Sequence, residues 1–245
     1  MKVIAVIPAR YASSRLLGKP LKDICGKPMI WWVYNQVKKV KGIDGIYVAT
    51  DNKLIENTCK EYNMNVLMTS TEHDTHISRV HEVSNRVAAD AYVCVCGDEP
   101  LIDSKTIEKI IPKNINKDDI FVSALMREFD EPTEVIDPGN IKIMTNDEGE
   151  CVALSRSPIP FPYKTVLFKY KKIVGVECYN KKSLDFFVNT REGLCEKIES
   201  VTLMRFLENR IKMKFIKVDS KALSVDTEKD LEKVRKIISE KLKKQ

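Results

Sequence analysis

The chain has 245 residues, of which 43% are hydrophobic and 31% are charged, and its formal net charge is +6. This length is sufficient to bury a sizeable core in one large domain. No apolar run approaches the roughly 18–20 residues that a membrane-spanning helix needs, and the first residues lack the pattern of a secretory signal. We therefore expect a cytoplasmic globular protein that does not contact a membrane.

Short β-branched runs alternate with longer helical patterns in the first half of the chain. Strands are predicted for KVIAVIPA, IDGIYVAT, NVLMT, AYVCVC and DIFVSALM, and helices for PMIWWVYNQVKKV, LIENTCKEY, SRVHEVSNRVAA and SKTIEKIIPKN. This alternation predicts an α/β fold in which a mixed, mainly parallel sheet carries helices on both faces.

The pattern changes at about residues 127–180. NIKIMTNDEGECVALSR predicts a hairpin that turns at Asn146–Gly149, SPIPFPYK is extended, and KIVGVECYN is a strand. Helices are then predicted for KSLDFFVNT and EKIESVTLMRFLENR, a strand for KMKFIKV, and a final helix from Thr227. The simplest interpretation is one domain, residues 1–245, with an antiparallel insertion at about 127–180.

The cysteines and histidines do not predict a metal centre. The seven cysteines are an odd number and are widely scattered, which argues against a disulfide framework. Cys94 and Cys96 lie two apart on a predicted strand, and we expect them to pack as small apolar residues. His73, His76 and His81 do not fall on one helical face, and no fourth ligand is evident. A zinc site is therefore not the favoured interpretation.

Charged residues follow several predicted strands. Arg10, Arg15 and Lys19 follow the first strand, Asp98 follows AYVCVC, and Asp226 follows the last strand. Ligands of open parallel sheets bind beyond the carboxyl ends of the strands, and cations with carboxylates at that edge suit a metal–triphosphate complex. The structural alternatives are a turn role for Asp98 and a helix N-cap role for Asp226.

The pair Gly18-Lys19 does not belong to a Walker A loop. That loop needs glycine five residues before the Gly-Lys pair and Ser or Thr after it, where this chain has Ser13 and Pro20. The sequence also has no GxGxxG motif, so a dinucleotide-binding fold is not supported.

The motifs PARYASSRLLGKPL, GKPMI, VATD, GDEP and SVDTEKDLEKV follow one another along essentially the whole chain. With them the sequence resembles the 3-deoxy-manno-octulosonate cytidylyltransferases (CMP-Kdo synthetases). The resemblance implies a nucleotide-diphospho-sugar-transferase (Rossmann-like) fold and a homodimer formed through the antiparallel insertion. It also implies transfer of CMP from CTP, with Mg²⁺ or Mn²⁺ as cofactor and release of pyrophosphate, in bacterial capsule or lipopolysaccharide biosynthesis.

The same resemblance implies roles for individual residues. Arg10, Arg15 and Lys19 would contact the triphosphate and act in catalysis together with Asp98. Asp98 and Asp226 would be the metal ligands. The residues implied in nucleotide binding are Pro8, Ala9, Arg10, Ser13, Ser14, Arg15, Lys19, His73 and Asp98.

Several positions where the family binds its sugar depart from the family pattern. Cys96 replaces a glutamine, His76 replaces a glycine, and Thr202 with Leu203 replaces a Glu-Gln pair. The family strand His-Leu-Gly-Ile-Tyr-Gly-Tyr reads IVGVECY at residues 173–179. Loss of groups that hydrogen-bond hydroxyls lowers the preference for a hydroxyl-rich acceptor. These changes argue against Kdo itself.

Retained arginines favour a small acidic acceptor. We expect acceptor contacts from Arg79, His76, Cys96, Arg156, Glu177 and Thr202. An organic phosphate or phosphonate, such as phosphoglutamine, would give a CDP-type product. The alternative is a CMP-Kdo synthetase or another CMP-ulosonic acid synthetase with a rebuilt pocket.

A non-catalytic nucleotide- or nucleic-acid-binding protein is the alternative from another class. Such a protein would show a basic stripe with aromatic side chains placed to stack on bases. The aromatic residues Trp31, Trp32, Phe186 and Phe187 fall instead in predicted core elements. We therefore expect no nucleic-acid partner.

Overall fold

The computed structural model describes residues 1–13, 15–165 and 167–244. Within these residues the strands are β1 (Val3–Pro8), β2 (Asp23–Ile24), β3 (Lys27–Pro28), β4 (Gly45–Thr50), β5 (Val66–Met68), β6 (Ala91–Val95), β7 (Val122–Glu128), β8 (Lys142–Thr145), β9 (Cys151–Ser155), β10 (Lys171–Tyr179) and β11 (Lys214–Lys217). The helices are α1 (Met29–Val37), α2 (Lys53–Glu61), α3 (His76–Arg86), α4 (Ser104–Glu108), α5 (Lys181–Asn189), α6 (Leu194–Glu199), α7 (Met204–Glu208) and α8 (Glu228–Leu242). In this part of the chain no helix combines the length and apolar character needed to cross a membrane.

The main sheet has the strand order β11-β7-β10-β6-β1-β4-β5, and the β8–β9 hairpin attaches to β10. β1 is parallel to β4 and β6, and β4 is parallel to β5. β10 is antiparallel to both of its neighbours, β6 and β7. The mixed, mainly parallel sheet expected from the sequence is confirmed. The position of β10 differs from the expectation, since this strand of the predicted insertion lies inside the main sheet.

Side chains of β1 alternate between two cores on opposite faces of the sheet. Val3, Ala5 and Ile7 belong to one buried cluster, and Ile4 and Val6 belong to the other. Helices α1 and α2 cover the first face, and α3 and α5 cover the second. Because both faces are covered, successive residues of β1 are all apolar.

Helix α8 begins at a capping box. Thr227 is its N-cap, and the Thr227 and Asp230 side chains exchange hydrogen bonds with each other's backbone N–H groups. The N-cap alternative for Asp226 is therefore wrong. Leu231 and Val234 of α8 share a buried cluster with Met29 of α1, and Leu16 and Val225 in the same cluster bring the loop after β1 and the segment before α8 together.

The pattern EKIESVTLMRFLENR does not form one helix. Ser200 has φ of 51°, which ends α6 in the left-handed region. Val201 and Leu203 are buried on either side of Thr202, so their burial overrides the helical spacing. The break exposes Thr202 at the sheet edge where the charged loops converge.

Candidate active site

Two loops from opposite ends of the chain meet at the carboxyl edge of the sheet. The backbone N–H of Val225 donates to the carbonyl oxygen of Asp98 at 2.9 Å. This bond ties the loop after β6 to the segment before α8. It brings the Asp98 and Asp226 carboxylates to the same point.

Lys19 lies between these two carboxylates. Its Nζ is 2.8 Å from Asp98 Oδ2 and 3.0 Å from Asp226 Oδ1, and Arg15 Nη2 is 3.0 Å from Asp226 Oδ1. Burial would lower the pKa of Lys19, but Asp98 and then Asp226 raise it above its ordinary value. Lys19 is therefore a cation at neutral pH, held beside two half-exposed acids.

A cavity of about 330 Å³ opens beside Lys19, and we call it the smaller cavity. Its wall includes the predicted nucleotide-binding residues Pro8, Ala9, Arg10, Ser13, Arg15, Lys19, His73 and Asp98. Ser14 lies outside the described residues. The described residues that were predicted to bind the nucleotide therefore share one cavity, because most of them lie on the loop after β1.

A second cavity, of about 600 Å³, adjoins the first, and we call it the larger cavity. The two walls share Arg15, His76, Cys96, Asp98, Thr202 and Asp226. Of the predicted acceptor residues, His76, Cys96, Glu177 and Thr202 line the larger cavity. The arrangement places two binding spaces on either side of the paired aspartates.

Arg79 lies elsewhere than the sequence suggested. It lines the smaller cavity, and its side chain is 4% exposed. Its Nη2 is 2.7 Å from Asp51 Oδ2, and its Nη1 donates to Thr69 Oγ1 at 2.5 Å. Because Asp51 at the end of β4 and Thr69 after β5 bind the guanidinium, Arg79 supports the wall of the smaller cavity, and an acceptor contact for it stays a prediction.

Arg156 lines neither cavity within the described residues. Its guanidinium donates to the carbonyl oxygens of Pro138, Glu199 and Ser200. These bonds tie the segment after β9 to the end of α6. Arg156 thus holds together segments that flank the larger cavity, and its acceptor contact stays a prediction.

Three charged residues on the wall of the larger cavity were not predicted from the sequence: Arg127, Lys172 and Glu99. Arg127 on β7 and Lys172 on β10 are both buried, and Lys172 Nζ donates to Asn140 Oδ1 at 3.0 Å. Arg127 Nη1 is 3.0 Å from Asp130 Oδ2, whereas its Nε has no hydrogen-bond partner among the described residues. The available signal was a charged residue within an otherwise buried strand, which is costly without a partner or a ligand.

Glu99, the acid next to Asp98, is buried against β10. Its Oε1 accepts from the backbone N–H of Gly175 at 2.8 Å and from Ser224 Oγ at 3.1 Å. A Cβ on Gly175 would lie 2.7 Å from that oxygen, so glycine is required there. Burial and then the charge of Asp98 raise the pKa of Glu99 to about 7.

Three potential metal donors also lie close together at this edge. The donor atoms of His76, Cys94 and Glu177 are all within 4.8 Å of one another. His76 Nε2 and Glu177 Oε2 are 2.8 Å apart, so they already bind each other. Burial raises the pKa of the Cys94 thiol well above its usual range, which disfavours the thiolate that a metal needs. We therefore interpret these residues as a hydrogen-bonded His76–Glu177 pair with Cys94 beside it, and not as a metal site.

The fold and the site together define a class of protein. A mixed α/β sheet with basic residues after its first strand, two facing aspartates and two adjoining cavities is the arrangement of a nucleotidyltransferase with the nucleotide-diphospho-sugar-transferase fold. The family model for cytidylyltransferases matches residues 4–215. The chain belongs to the cytidylyltransferase family and is a CTP-dependent nucleotidyltransferase.

Two curated relatives and one solved structure are similar to this chain over nearly its whole length. The chain is 34% identical over 241 residues to the 3-deoxy-manno-octulosonate cytidylyltransferase of Escherichia coli, covering 98% of both chains. It is 36% identical over 250 residues to the enzyme of that name from Aliivibrio fischeri, covering 98% of this chain and 100% of the relative. A solved CMP:2-keto-3-deoxy-manno-octonic acid synthetase in complex with CTP is 34% identical, with a TM-score of 0.91 over 98% of this chain and 100% of that chain.

Proposed function

We propose that this enzyme transfers CMP from CTP to a small acidic acceptor that binds in the larger cavity. The observation that carries the proposal is the junction of the two cavities at Asp98 and Asp226, whose carboxylates are bridged by Lys19. A nucleotide in the smaller cavity and an acceptor in the larger one would meet at these side chains. Such placement lowers the barrier for an in-line displacement at phosphorus.

The nucleotide side of the site would use the cations that follow β1. Arg10, Arg15 and Lys19 would neutralise the triphosphate and the leaving pyrophosphate. Asp98 and Asp226 fit a hard divalent cation, because their carboxylate oxygens converge from two segments and are open to the cavities. Mg²⁺ or Mn²⁺ held there would polarise the α-phosphate.

Buried cations support an acidic acceptor. Arg127 and Lys172 line the larger cavity, and burial lowers the pKa of Lys172 with Arg127 as a further cause. Asp130 pairs with Arg127 at 3.0 Å, and an anion that lies beside both cations would offset the repulsion that remains between them. An acceptor with a carboxylate, phosphate or phosphonate supplies that anion.

Two classes of acceptor each have a specific observation in their favour. The relatives named above support an ulosonic acid such as Kdo, because they match at 34–36% identity over nearly the full chain. Cys96 and Thr202 lie on the cavity wall at positions where the family pattern has longer polar side chains, and this difference supports an organic phosphate or phosphonate. An ulosonic acid would give a CMP-sugar, and an organic phosphate would give a CDP-type product.

Pyrophosphate release tests the proposal. The enzyme is incubated with CTP, Mg²⁺ or Mn²⁺, and one acceptor at a time from Kdo, sialic-acid-type sugars, small phosphates and small phosphonates. Turnover with Kdo would identify the relatives' acceptor, and turnover only with a phosphate or phosphonate would identify a remade acceptor site. No acceptor-dependent release with any of them would contradict the proposal.

We also propose a homodimer that forms through the segment after β9 together with α6. Phe161, Tyr163 and Leu167 are exposed in that segment, and Leu194 and Ile198 are exposed on α6. Arg156 joins the two elements through its bonds to Glu199 and Ser200. Exposed apolar side chains on these two joined elements are of the kind that a protein partner covers.

Light scattering after gel filtration tests the dimer. Leu194, which is 71% exposed, is replaced in Leu194→Glu, and Leu54 on α2, which is 54% exposed, supplies the control Leu54→Glu. We expect a dimer for the native chain and for Leu54→Glu, and a monomer for Leu194→Glu. A native monomer, or equal effects of both substitutions, would contradict the proposed surface.

A further inference from the structure

His76 and Glu177 form a pair that joins two distant parts of the chain at the edge of the larger cavity. His76 Nε2 is 2.8 Å from Glu177 Oε2, and the Tyr179 hydroxyl donates to the same oxygen at 2.5 Å. Glu177 is 5% exposed. A buried carboxylate needs partners, and the described residues provide it with one imidazole and one phenol.

The start of α3 and an irregularity in β10 orient the two side chains toward each other. His76 is the first residue of α3, whose N-cap is Thr75. On β10 the pairing with β7 shifts between Val174 and Glu177. Such a bulge redirects a side chain. The two positions are also those where the family pattern given above has glycine and tyrosine.

The pair faces the place where the two cavities join. His76 lines both cavities, next to Cys96 and Asp98. Its Nε2 is used by Glu177, and none of the described residues forms a hydrogen bond with its Nδ1. Oε1 of Glu177 likewise has no partner among the described residues, so Nδ1 is the hydrogen-bond donor, and Oε1 the acceptor, that this pair retains for a ligand.

The charges around His76 favour the imidazolium form. Burial would lower its pKa, but the charge and hydrogen bond of Glu177 and the charge of Asp98 outweigh both burial and the charge of Arg10, so the pKa is raised. Burial would raise the pKa of Glu177, but His76 and Tyr179 lower it. The raised pKa of His76 favours the form in which Nε2 donates to Glu177 and Nδ1 also carries a proton that it can donate toward the cavity.

We propose that His76, oriented by Glu177 and Tyr179, binds the anionic oxygen of the acceptor beside the α-phosphate and so determines which acceptor the enzyme uses. The inference rests on the proposed function for the existence of the transfer reaction. It deepens that function, because it favours an acceptor whose attacking oxygen is already anionic. His76 is a specificity-determining contact, and Glu177 is a positioning residue.

The transfer step requires no proton acceptor under this proposal. An anionic phosphate or phosphonate oxygen of the acceptor forms a new bond to the α-phosphorus of CTP. The bond from that phosphorus to the oxygen bridging to the β-phosphorus breaks, and both of its electrons leave with pyrophosphate. The His76 imidazolium keeps its proton throughout and orients the attacking oxygen by a charge-assisted hydrogen bond.

Steady-state kinetics with matched variants test the role in turnover. We expect His76→Asn to raise the acceptor KM by about tenfold or more and Glu177→Gln by about threefold, with the CTP KM changed less than about twofold. The controls His81→Asn and Asp185→Asn remove a similar pair, 2.9 Å apart, that lines neither cavity. Equal changes in both KM values, or unchanged acceptor KM, would overturn the proposal.

An NMR titration tests anion binding without turnover. The chain has three histidines, so long-range ¹H–¹⁵N spectra resolve each imidazole, and His76→Asn identifies its signals. We expect methylphosphonate to shift the His76 signals and to leave those of His81 unchanged. No shift at His76 would overturn the inference even if pyrophosphate release is observed. A shift at His76 in an enzyme that releases no pyrophosphate would support anion binding at His76 and contradict both the proposed function and the role of His76 in acceptor choice.

Discussion

Lys19 Nζ lies 2.8 Å from Asp98 Oδ2 and 3.0 Å from Asp226 Oδ1, so one ammonium group joins carboxylates from the middle and the end of the chain. The lysine itself follows the first strand. Three segments that are far apart in sequence therefore meet at one point between the two cavities. In this arrangement the acids are held near each other by a cation of the protein.

Removal of either carboxylate should stop the reaction and spare the fold. We expect Asp98→Asn and Asp226→Asn each to lower kcat/KM by about a hundredfold or more, because the divalent cation loses a ligand. Thermal unfolding should change little, since both side chains are partly open to solvent. The control is Asp185→Asn, outside both cavities. Near-normal turnover of either variant would contradict the metal role.

Arg79 should behave as a structural residue. Arg79→Ala leaves Asp51 without its ion-pair partner in a nearly buried site, and we expect a loss of about 3 kcal/mol in the free energy of unfolding. Urea denaturation measures this loss, and the pair Asp51→Ala with Arg79→Ala should recover part of it. A stable Arg79→Ala enzyme with a raised KM for the acceptor alone would restore the acceptor role expected from the sequence.

Lys142 should contribute to the shape of the larger cavity. It is fully buried, and its Nζ donates to the carbonyl oxygens of Asp137, Asn140 and Arg156. We expect Lys142→Met to cost roughly 2–4 kcal/mol, because three carbonyl groups lose their donor. Denaturant unfolding measures the cost. Lys214→Met, at an exposed site on β11, is the control, and equal stability of both variants would refute this role.

The His76–Glu177 pair should make stability depend on pH in a defined direction. The pKa of His76 is raised from 6.5, so its contribution is complete below that pH and is lost as pH rises through the folded-state pKa. The pKa of Glu177 is lowered from 4.5, so its contribution is complete above that pH and is lost at lower pH. The charged groups that shift the pKa of His76 are Glu177 and Asp98, which raise it, and Arg10, which lowers it.

The difference in free energy of unfolding between the native chain and His76→Asn should therefore be largest at about pH 5.5 and smaller above neutrality. Denaturation across this pH range measures it. A difference that increases steadily from acid to alkaline pH would show that the imidazole is not paired with an ionised Glu177.

Local patterns predicted the parallel part of the fold well. The apolar run of β1 and the helical spacing of α1 and α2 are properties of contiguous residues, and the loop after β1 contains most of the smaller cavity's wall. The residues after parallel strands also meet at a predictable edge. For this reason Lys19 and Asp98 were found from the sequence.

The remaining features depend on contacts between distant segments. Nothing near β10 in sequence indicates that it pairs with β6 as well as β7. Arg79 is bound by Asp51, which lies on another strand's end, so its spacing in the motif could not reveal its orientation. The position of Lys172 could not be read from its neighbours in sequence either, because it lines the larger cavity only as a result of the position of β10 in the sheet.

The most direct test of the central claim is identification of the cytidine-containing product. The enzyme is incubated with CTP, Mg²⁺ and each acceptor class, and the mixture is analysed by mass spectrometry and ³¹P NMR. We predict a CMP–acceptor adduct in the same amount as the released pyrophosphate, with two linked phosphorus resonances where the acceptor is a phosphate or phosphonate. CTP that stays intact with every acceptor, or that is only hydrolysed to CMP, would contradict the account.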